Sequence, residues 1–248
     1  MTVCDMKPAL KIIGVIPTRL ASKRLPGKIL LDIAGRPMLY HVYTQARRSP
    51  LLTDLVVATE DVAIRDYCNG EGFPVVMTGR HASGTDRAHE VMTQMGGDVC
   101  VNIQGDEPTL RPEHLAQLLG PFAQPGTQVA TLKIPIDGER ALNPNIVKVV
   151  TDESGHALSF SRRSPLIDMG GKPPAHIYKH IGLYAYTRQA LARFRTLPQS
   201  PLELAEKLEQ MRFLENGIPI VVAESPFDTI SVDTEDDLRQ VTALFGGR

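Results

Sequence analysis

Short apolar runs alternate along the chain with stretches in which apolar side chains recur every three or four positions, and this predicts strands and helices in turn. Ile12-Ile13-Gly14-Val15-Ile16-Pro17 reads as a buried strand. Residues 37–48 follow as a helix, with Met38, Val42 and Ala46 on one face, and residues 55–59 as a second buried strand, which completes a βαβ unit. The pattern predicts a helix at 62–69, a strand at 73–77, a helix at 86–94 with Ala88, Val91, Met92 and Met95 on one face, and a strand at 99–103. Such alternation predicts an α/β fold with a mostly parallel sheet flanked by helices. From about residue 143 the rhythm changes. Segments 146–151, 156–160 and 180–186 read as strands without long helices between them, a small antiparallel excursion.

Composition narrows the function classes. The 248 residues, 42% hydrophobic and 22% charged, suffice for a full core, and a single domain over 1–248 is expected. A formal net charge of −1 gives no general attraction to nucleic acid or anionic lipid, so neither is expected as a partner. Cys4, Cys68 and Cys100 are odd in number and widely spaced, which argues against a disulfide framework or a structural zinc site and points to a reducing, cytoplasmic setting. No run approaches the ~20 apolar residues of a membrane helix, and the first eight residues have no signal-like apolar core.

Local charge tells more. Directly after the first strand, Arg19, Lys23, Arg24 and Lys28 are interleaved with Ser22, Pro26 and Gly27. At the carboxyl edge of a parallel sheet such a loop suits a polyphosphate, although neither G-x-x-x-x-G-K-[ST] nor G-x-G-x-x-G occurs. Ser83-Gly84-Thr85-Asp86-Arg87 opens a helix and either caps it or receives an anion or a polar ring edge. Gln104-Gly105-Asp106-Glu107-Pro108 closes a strand at the same edge, and Asp106 there is either a turn residue or a ligand for a divalent metal bridging phosphates. Ser231-Val232-Asp233-Thr234 offers a second strand-end carboxylate, with Thr234 able to cap the helix at 235–244 and so free Asp233.

Ser200-Pro201-Leu202-Glu203 carries a capping box, and one continuous helix with a buried stripe of Leu204, Leu208, Met211 and Leu214 is expected after it. That register puts Glu209 at the border of the stripe and Gln210 toward solvent. Arg162 and His180 have surface and core readings beside any functional one.

In order, R-x-x-S-x-R-L-P-G-K, S-G-T-D-R, V-N-I-Q-G-D-E-P, N-P-N-I-V-K-V-V, F-S-R, H-I-G-L-Y, P-L-E-L-A-E-K-L-E-Q-M-R and V-D-T run from about Ile12 to Leu238. Together they resemble the 3-deoxy-manno-octulosonate cytidylyltransferases, the CMP-KDO synthetases of Gram-negative bacteria. The resemblance implies a Rossmann-like nucleotidyltransferase fold, a homodimer, and the joining of CTP and KDO into CMP-KDO, with release of pyrophosphate, for lipopolysaccharide synthesis. It implies that Arg19, Arg24 and Lys28 meet the triphosphate, that Ser83, Gly84, Thr85 and Arg87 line the nucleotide pocket, and that Asp106 and Asp233 hold Mg2+. Catalysis would rest on Lys28, Arg24, Asp106 and Asp233.

The family's sugar site would fall on Gln104, Arg162, His180, Tyr184, Glu209 and Gln210, with cations facing the KDO carboxylate and polar groups reading its hydroxyls. A sugar-binding and dimerisation sub-lobe would occupy about 143–186. The stretch after Arg162 lacks the family's I-P-[WY], a departure that bears on the sugar lobe or the dimer contact. The sequence leaves open which group takes the hydroxyl proton. A cytidylyltransferase for 8-amino-KDO or sialic acid is the alternative. A glycosyltransferase lacks its D-x-D here, and a silent sugar-nucleotide binder would not need Lys28 with both aspartates.

Overall fold

The computed structural model describes residues 10–22, 24–163 and 177–247. The expectations for the N-terminal segment, for Lys23 and for the departure at 164–167 lie outside the described residues. The chain begins with β1 (Ile12–Thr18), passes through the cationic loop, and forms a small hairpin of β2 (Asp32–Ile33) and β3 (Arg36–Pro37) before α1 (Met38–Arg47). Next come β4 (Asp54–Thr59), α2 (Val62–Glu71), β5 (Val75–Met77), α3 (Gly84–Met95), β6 (Val99–Asn102) and α4 (Pro112–Leu119). The second half holds β7 (Val129–Ile136), α5 (Gly138–Leu142), β8 (Lys148–Thr151), β9 (Ala157–Ser161), β10 (Ile177–Thr187) and α6 (Arg188–Thr196). It closes with α7 (Pro201–Glu206), α8 (Met211–Glu215), β11 (Ile220–Glu224) and α9 (Glu235–Gly246).

The main sheet runs β11-β7-β10-β6-β1-β4-β5. Pairs β6–β1, β1–β4, β4–β5 and β11–β7 are parallel, and β10 is antiparallel to both β6 and β7. All strands of this path except β10 therefore point the same way, which puts the ends of β1 and β6 at one carboxyl edge. Of the three segments expected in the antiparallel excursion, 180–186 belongs to the main sheet as β10, and the excursion is β8 with β9, which pair with each other and join β10 through β8.

Period-two alternation buries both faces of the central strands. Ile13, Val15, Val56, Ala58 and Cys100 pack with α3, α6 and α8, whereas Ile16, Leu55, Val57, Val99 and Val101 pack with α1, α2 and α4. A third, smaller core joins Leu25, Ile33, Met38, Val232 and Val241. It fastens the cationic loop to the segment before α9.

Two expectations are corrected. Asp233 does not end a strand, because Ser231-Val232-Asp233 is irregular, though Thr234 does cap α9, its hydroxyl accepting from Asp237 N–H. The continuous helix after Ser200 is instead two short ones, broken at Lys207, which adopts φ +57°. Leu204 is 58% exposed, while Leu208, Met211 and Gln210 are buried. A left-handed residue other than glycine costs about 1–2 kcal/mol. The break buries Leu208, Met211 and Phe213, each side chain worth about 1.5–3 kcal/mol, and lets Arg212 reach back to Glu203. Arg212 Nε and Nη2 donate to the two Glu203 carboxylate oxygens at 2.7 and 2.5 Å, while Ser200 N–H donates to Oε2 at 3.1 Å. Tertiary contacts therefore outweigh helix continuation.

Arg212→Ala leaves the Glu203 carboxylate buried without its partner and is expected to destabilise the protein by about 3–5 kcal/mol. The Glu203→Leu/Arg212→Leu double variant should recover most of that loss, as measured by urea unfolding. A single variant no less stable than the double would contradict the assignment.

Candidate active site

The loop after β1 is shaped by its own residues. Pro26 and Gly27 form the centre of a tight turn in which Lys28 N–H donates to Leu25 C=O at 3.2 Å, and Gly27 takes φ +67°, which glycine alone adopts without strain. Gly27 N–H also donates to Leu20 C=O at 3.0 Å, closing the loop on itself. Beyond β6, a Cβ on Gly105 would stand 2.7 Å from Ile29 Cδ1, so the Gln104-Gly105-Asp106 turn packs against this loop only because position 105 has no side chain.

The two segments meet at Lys28. Its Nζ donates to Asp106 Oδ2 at 2.6 Å, to Asp233 Oδ1 at 2.9 Å and to Val232 C=O at 3.0 Å. Burial works against the ammonium, but Asp106, followed by Asp233, more than offsets it and holds the Lys28 pKa above its ordinary value. Arg24 reaches the second oxygen of Asp233 at 2.8 Å. Val232 N–H donates to Asp106 C=O at 2.9 Å, so the loops that carry the two carboxylates are joined through their backbones as well. Exposed Arg19 makes no ion pair among the described residues.

These groups border one cleft of about 660 Å³, lined by Arg19, Ser22, Arg24, Lys28, His81, Ser83, Gly84, Arg87, Gln104, Asp106 and Asp233 among others. Ser83 caps α3, accepting from Asp86 N–H at 3.1 Å, so the capping reading of this segment holds while the helix start also faces the cleft. Thr85 is not in the lining: it is buried, and its hydroxyl meets Glu209 and Tyr186. Arg87 is buried, bonded to Thr78 Oγ1, to Gly79 C=O at 3.3 Å and to Glu60 at 3.3 Å, and so ties the loop before α3 in place.

The remaining sequence-predicted residues lie behind this cleft. β10 carries an irregularity between Ile181 and Tyr184, and Gly182 there lies against Gln104. His180 and Tyr184 are buried side by side, their rings 5.4 Å apart, and Phe160 of β9 meets His180 edge-on at 5.0 Å. Tyr184 stacks on Tyr186 and Tyr186 on Phe213, which links β10 to α8. Half-buried Glu209, just before α8, receives the hydroxyls of Thr85 and Ser83, and burial raises its pKa. Gln210 is buried beside it, not turned to solvent as the helical register implied. Arg162, at the end of β9, is held by its backbone: its N–H donates to Glu206 Oε2 at 3.1 Å and its carbonyl accepts from Lys148 Nζ at 2.6 Å.

Burial, and then the charge of Lys179, pushes the His180 pKa down to about 3, so this imidazole is neutral and cannot be one of the cations expected to face a carboxylate. Arg162 is left as the one cation among those six residues. Sequence reading missed His81, whose Nε2 sits 2.5 Å from Glu90 Oε2 at the cleft wall, and Glu107, whose buried carboxylate accepts from Ser231 Oγ beside Asp233. His81 stands two residues before one segment singled out for chemistry and Glu107 inside another, which was the available signal. Thr131 of β7 was missed too, and nothing in its local pattern announces it.

The profile of the family described as cytidylyltransferase matches residues 13–224. The chain is 50% identical over 240 residues to the 3-deoxy-manno-octulosonate cytidylyltransferase of Koribacter versatilis, covering 96% of this chain and 92% of that protein. It is 46% identical over 246 residues to that of Geobacter sulfurreducens, covering 94% and 98%. Among solved structures, a CMP:2-keto-3-deoxy-manno-octonic acid synthetase complexed with CTP superposes with a TM-score of 0.90 at 41% identity, over 96% of this chain and 99% of that one. With a shared fold, near-complete coverage and this level of identity, the chain belongs to the 3-deoxy-manno-octulosonate cytidylyltransferase family.

Proposed function

We propose that the protein transfers CMP from CTP to the anomeric hydroxyl of KDO, giving CMP-KDO and pyrophosphate, in the cytoplasmic stage of lipopolysaccharide synthesis. The observation that carries this reading is the Lys28 ammonium held between Asp106 and Asp233 at the wall of a cleft that Arg19 and Arg24 also line. The sugar hydroxyl oxygen attacks the α-phosphorus of CTP in line. The bond from that phosphorus to the bridging oxygen breaks, and pyrophosphate leaves toward Arg19, Arg24 and Lys28. No covalent enzyme intermediate is formed. The work of the protein is to position the reactants and to spread negative charge.

The donor set fits magnesium. Among the described residues no cluster of three metal-ligating side chains occurs, and Asp106 and Asp233 provide two carboxylates that converge on one cation. Magnesium binds through one or two carboxylates and completes its shell with phosphate and water. Asp106 and Asp233 would hold it, and it would supply charge neutralisation at the phosphate oxygens. Lys28 and Arg24, which rest on those carboxylates, are the cations that meet the triphosphate. Arg162 meets the sugar carboxylate, and Gln104, His180, Tyr184, Glu209 and Gln210 read the hydroxyls. A homodimer is supported by exposed apolar side chains on the β8–β9 hairpin, Val150 and Leu158, and on α7, Leu202 and Leu204; its sedimentation mass tests this.

The direct test is pyrophosphate release by the purified protein with CTP, magnesium and a panel of sugar acids. KDO should give the highest specificity constant, above 8-amino-KDO and sialic acid, because a site of paired polar groups rejects a substrate that leaves them unpaired. A preference for the amino sugar would overturn KDO as acceptor and leave the cytidylyl transfer standing.

Asp106→Asn and Asp233→Asn should each lose most turnover at saturating CTP and need more magnesium, while binding of metal-free CTP changes much less. Titration of turnover against magnesium reads this. Near wild-type turnover at limiting magnesium would remove that residue from the ligand set.

Lys28→Ala and Arg24→Ala should weaken CTP binding and turnover, whereas Arg162→Ala and His180→Ala should chiefly raise the KM for the sugar acid. Each charge-assisted hydrogen bond of Lys28, Arg24 or Arg162 is worth about 1.5–3 kcal/mol, roughly ten- to hundredfold, and the neutral bond of His180 about 0.5–1.5 kcal/mol, a smaller effect. A CTP defect in the Arg162 variant with normal sugar binding would reverse the two halves of the pocket.

A further inference from the structure

Thr131, in the middle of β7, is fully buried, and its hydroxyl meets four groups of β10 around the point where that strand's register shifts, one of them the Tyr184 hydroxyl, which carries a proton of its own. Oγ1 lies 2.8 Å from Leu183 C=O, 3.2 Å from Ile181 C=O and 2.9 Å from His180 Nε2. A threonine hydroxyl has one proton to give, and both carbonyls can only accept. If that proton went to His180, neither carbonyl would receive it, and a hydrogen bond lost from a buried carbonyl is costly. The proton therefore goes to the β10 carbonyls, and the Thr131 oxygen accepts from Nε2–H of His180. That fixes the imidazole as the Nε2–H tautomer and leaves Nδ1 as a lone-pair acceptor. Among the described residues the ring's one hydrogen bond is at Nε2, and none is made at Nδ1.

We propose that Thr131 is a positioning residue for the transfer reaction: it locks His180 as a neutral Nε2–H imidazole that offers a sugar hydroxyl an acceptor at Nδ1, not a positive charge. The proposal rests on the reading of His180 as a residue of the sugar pocket. The surroundings of the ring agree with it. Phe160 from β9 and Tyr184 from β10 cover it, and the nearest cation on its own strand, Lys179, is turned away to Asp228 at 2.8 Å and Thr229 C=O at 2.7 Å. Among the described residues no carboxylate pairs with the ring, and Glu209, the acid nearest Tyr184, is taken up by Thr85 and Ser83. A low pKa for His180 follows from the same burial. The assignment also gives the pocket a selective device: Nδ1 accepts from a hydroxyl and has nothing to offer a second carboxylate.

Long-range 1H–15N correlation spectra of the 15N-histidine-labelled protein without substrate test the tautomer, with His180 assigned by loss of its signal in His180→Gln. The expected pattern is a neutral Nε2–H imidazole, unchanged between about pH 5 and 8, where an ordinary histidine titrates. Thr131→Val, close in shape but without the hydroxyl, should lose that pattern and raise the KM for the sugar acid by about tenfold with kcat much less affected. Thr131→Ser should restore both, which a role in packing alone would not explain. An imidazolium or an Nδ1–H tautomer in the wild type, or a Thr131→Val protein with wild-type spectrum and KM, would overturn the proposal. Because the spectra need no substrate, an error in the identity of the sugar acid appears in the kinetics and not in the tautomer.

Discussion

The Lys28 ammonium is the point on which the rest of the site depends. Two carboxylates from segments more than a hundred residues apart, Asp106 and Asp233, cannot stand close together at neutral pH without a cation between them. Lys28 provides that cation, and by donating also to Val232 C=O it joins the loop after β1, the turn after β6 and the segment before α9. The charge arrangement is self-consistent before any ligand arrives, and it is one that a triphosphate with a divalent cation can exchange, charge for charge. A resting site built this way keeps its cations in place without an excess of exposed positive charge, in line with the near-neutral chain as a whole.

Such an arrangement needs a rigid floor, which neither main face of the sheet provides. The small core of Leu25, Ile33, Met38, Val232 and Val241 does so, because it includes one residue from the cationic loop and one directly before Asp233. The β2–β3 hairpin and α9 are its walls. Their distance from the reacting groups does not make them spare parts: they set the separation of Lys28 from Asp233. Gly105 has a related role, since the close approach of the Asp106 turn to Ile29 leaves no room for a Cβ.

Much of this was legible in the sequence, for identifiable reasons. The central strands are continuous apolar runs and the turn at Pro26-Gly27 has one chemically favoured geometry, so β1, β4, β6 and the cationic loop could be placed from local pattern alone. The failures are tertiary. The helical stripe through Leu204 to Leu214 was a genuine periodicity, but the Glu203–Arg212 pair and the burial of Phe213 break it at Lys207, and no local preference encodes a partner nine residues away across a turn. Gln210 moved from surface to interior as a result. Thr131 was invisible because its importance comes from a register shift in the neighbouring strand.

The two ends of the site thus work by different physics. At the phosphate end, permanent charges at the mouth of the cleft face a ligand that is itself highly charged, where strength and neutralisation matter most. Behind Gln104 the walls are buried aromatic rings, a neutral imidazole and the Thr131 and Thr85 hydroxyls, already committed to partners, with Arg162 held at the edge by Glu206 and Lys148. There an added charge would attract any anion, CTP included, whereas committed donors and acceptors reward only a ligand that completes them. An uncharged His180 therefore adds nothing to that wall that would draw in an anion by charge alone.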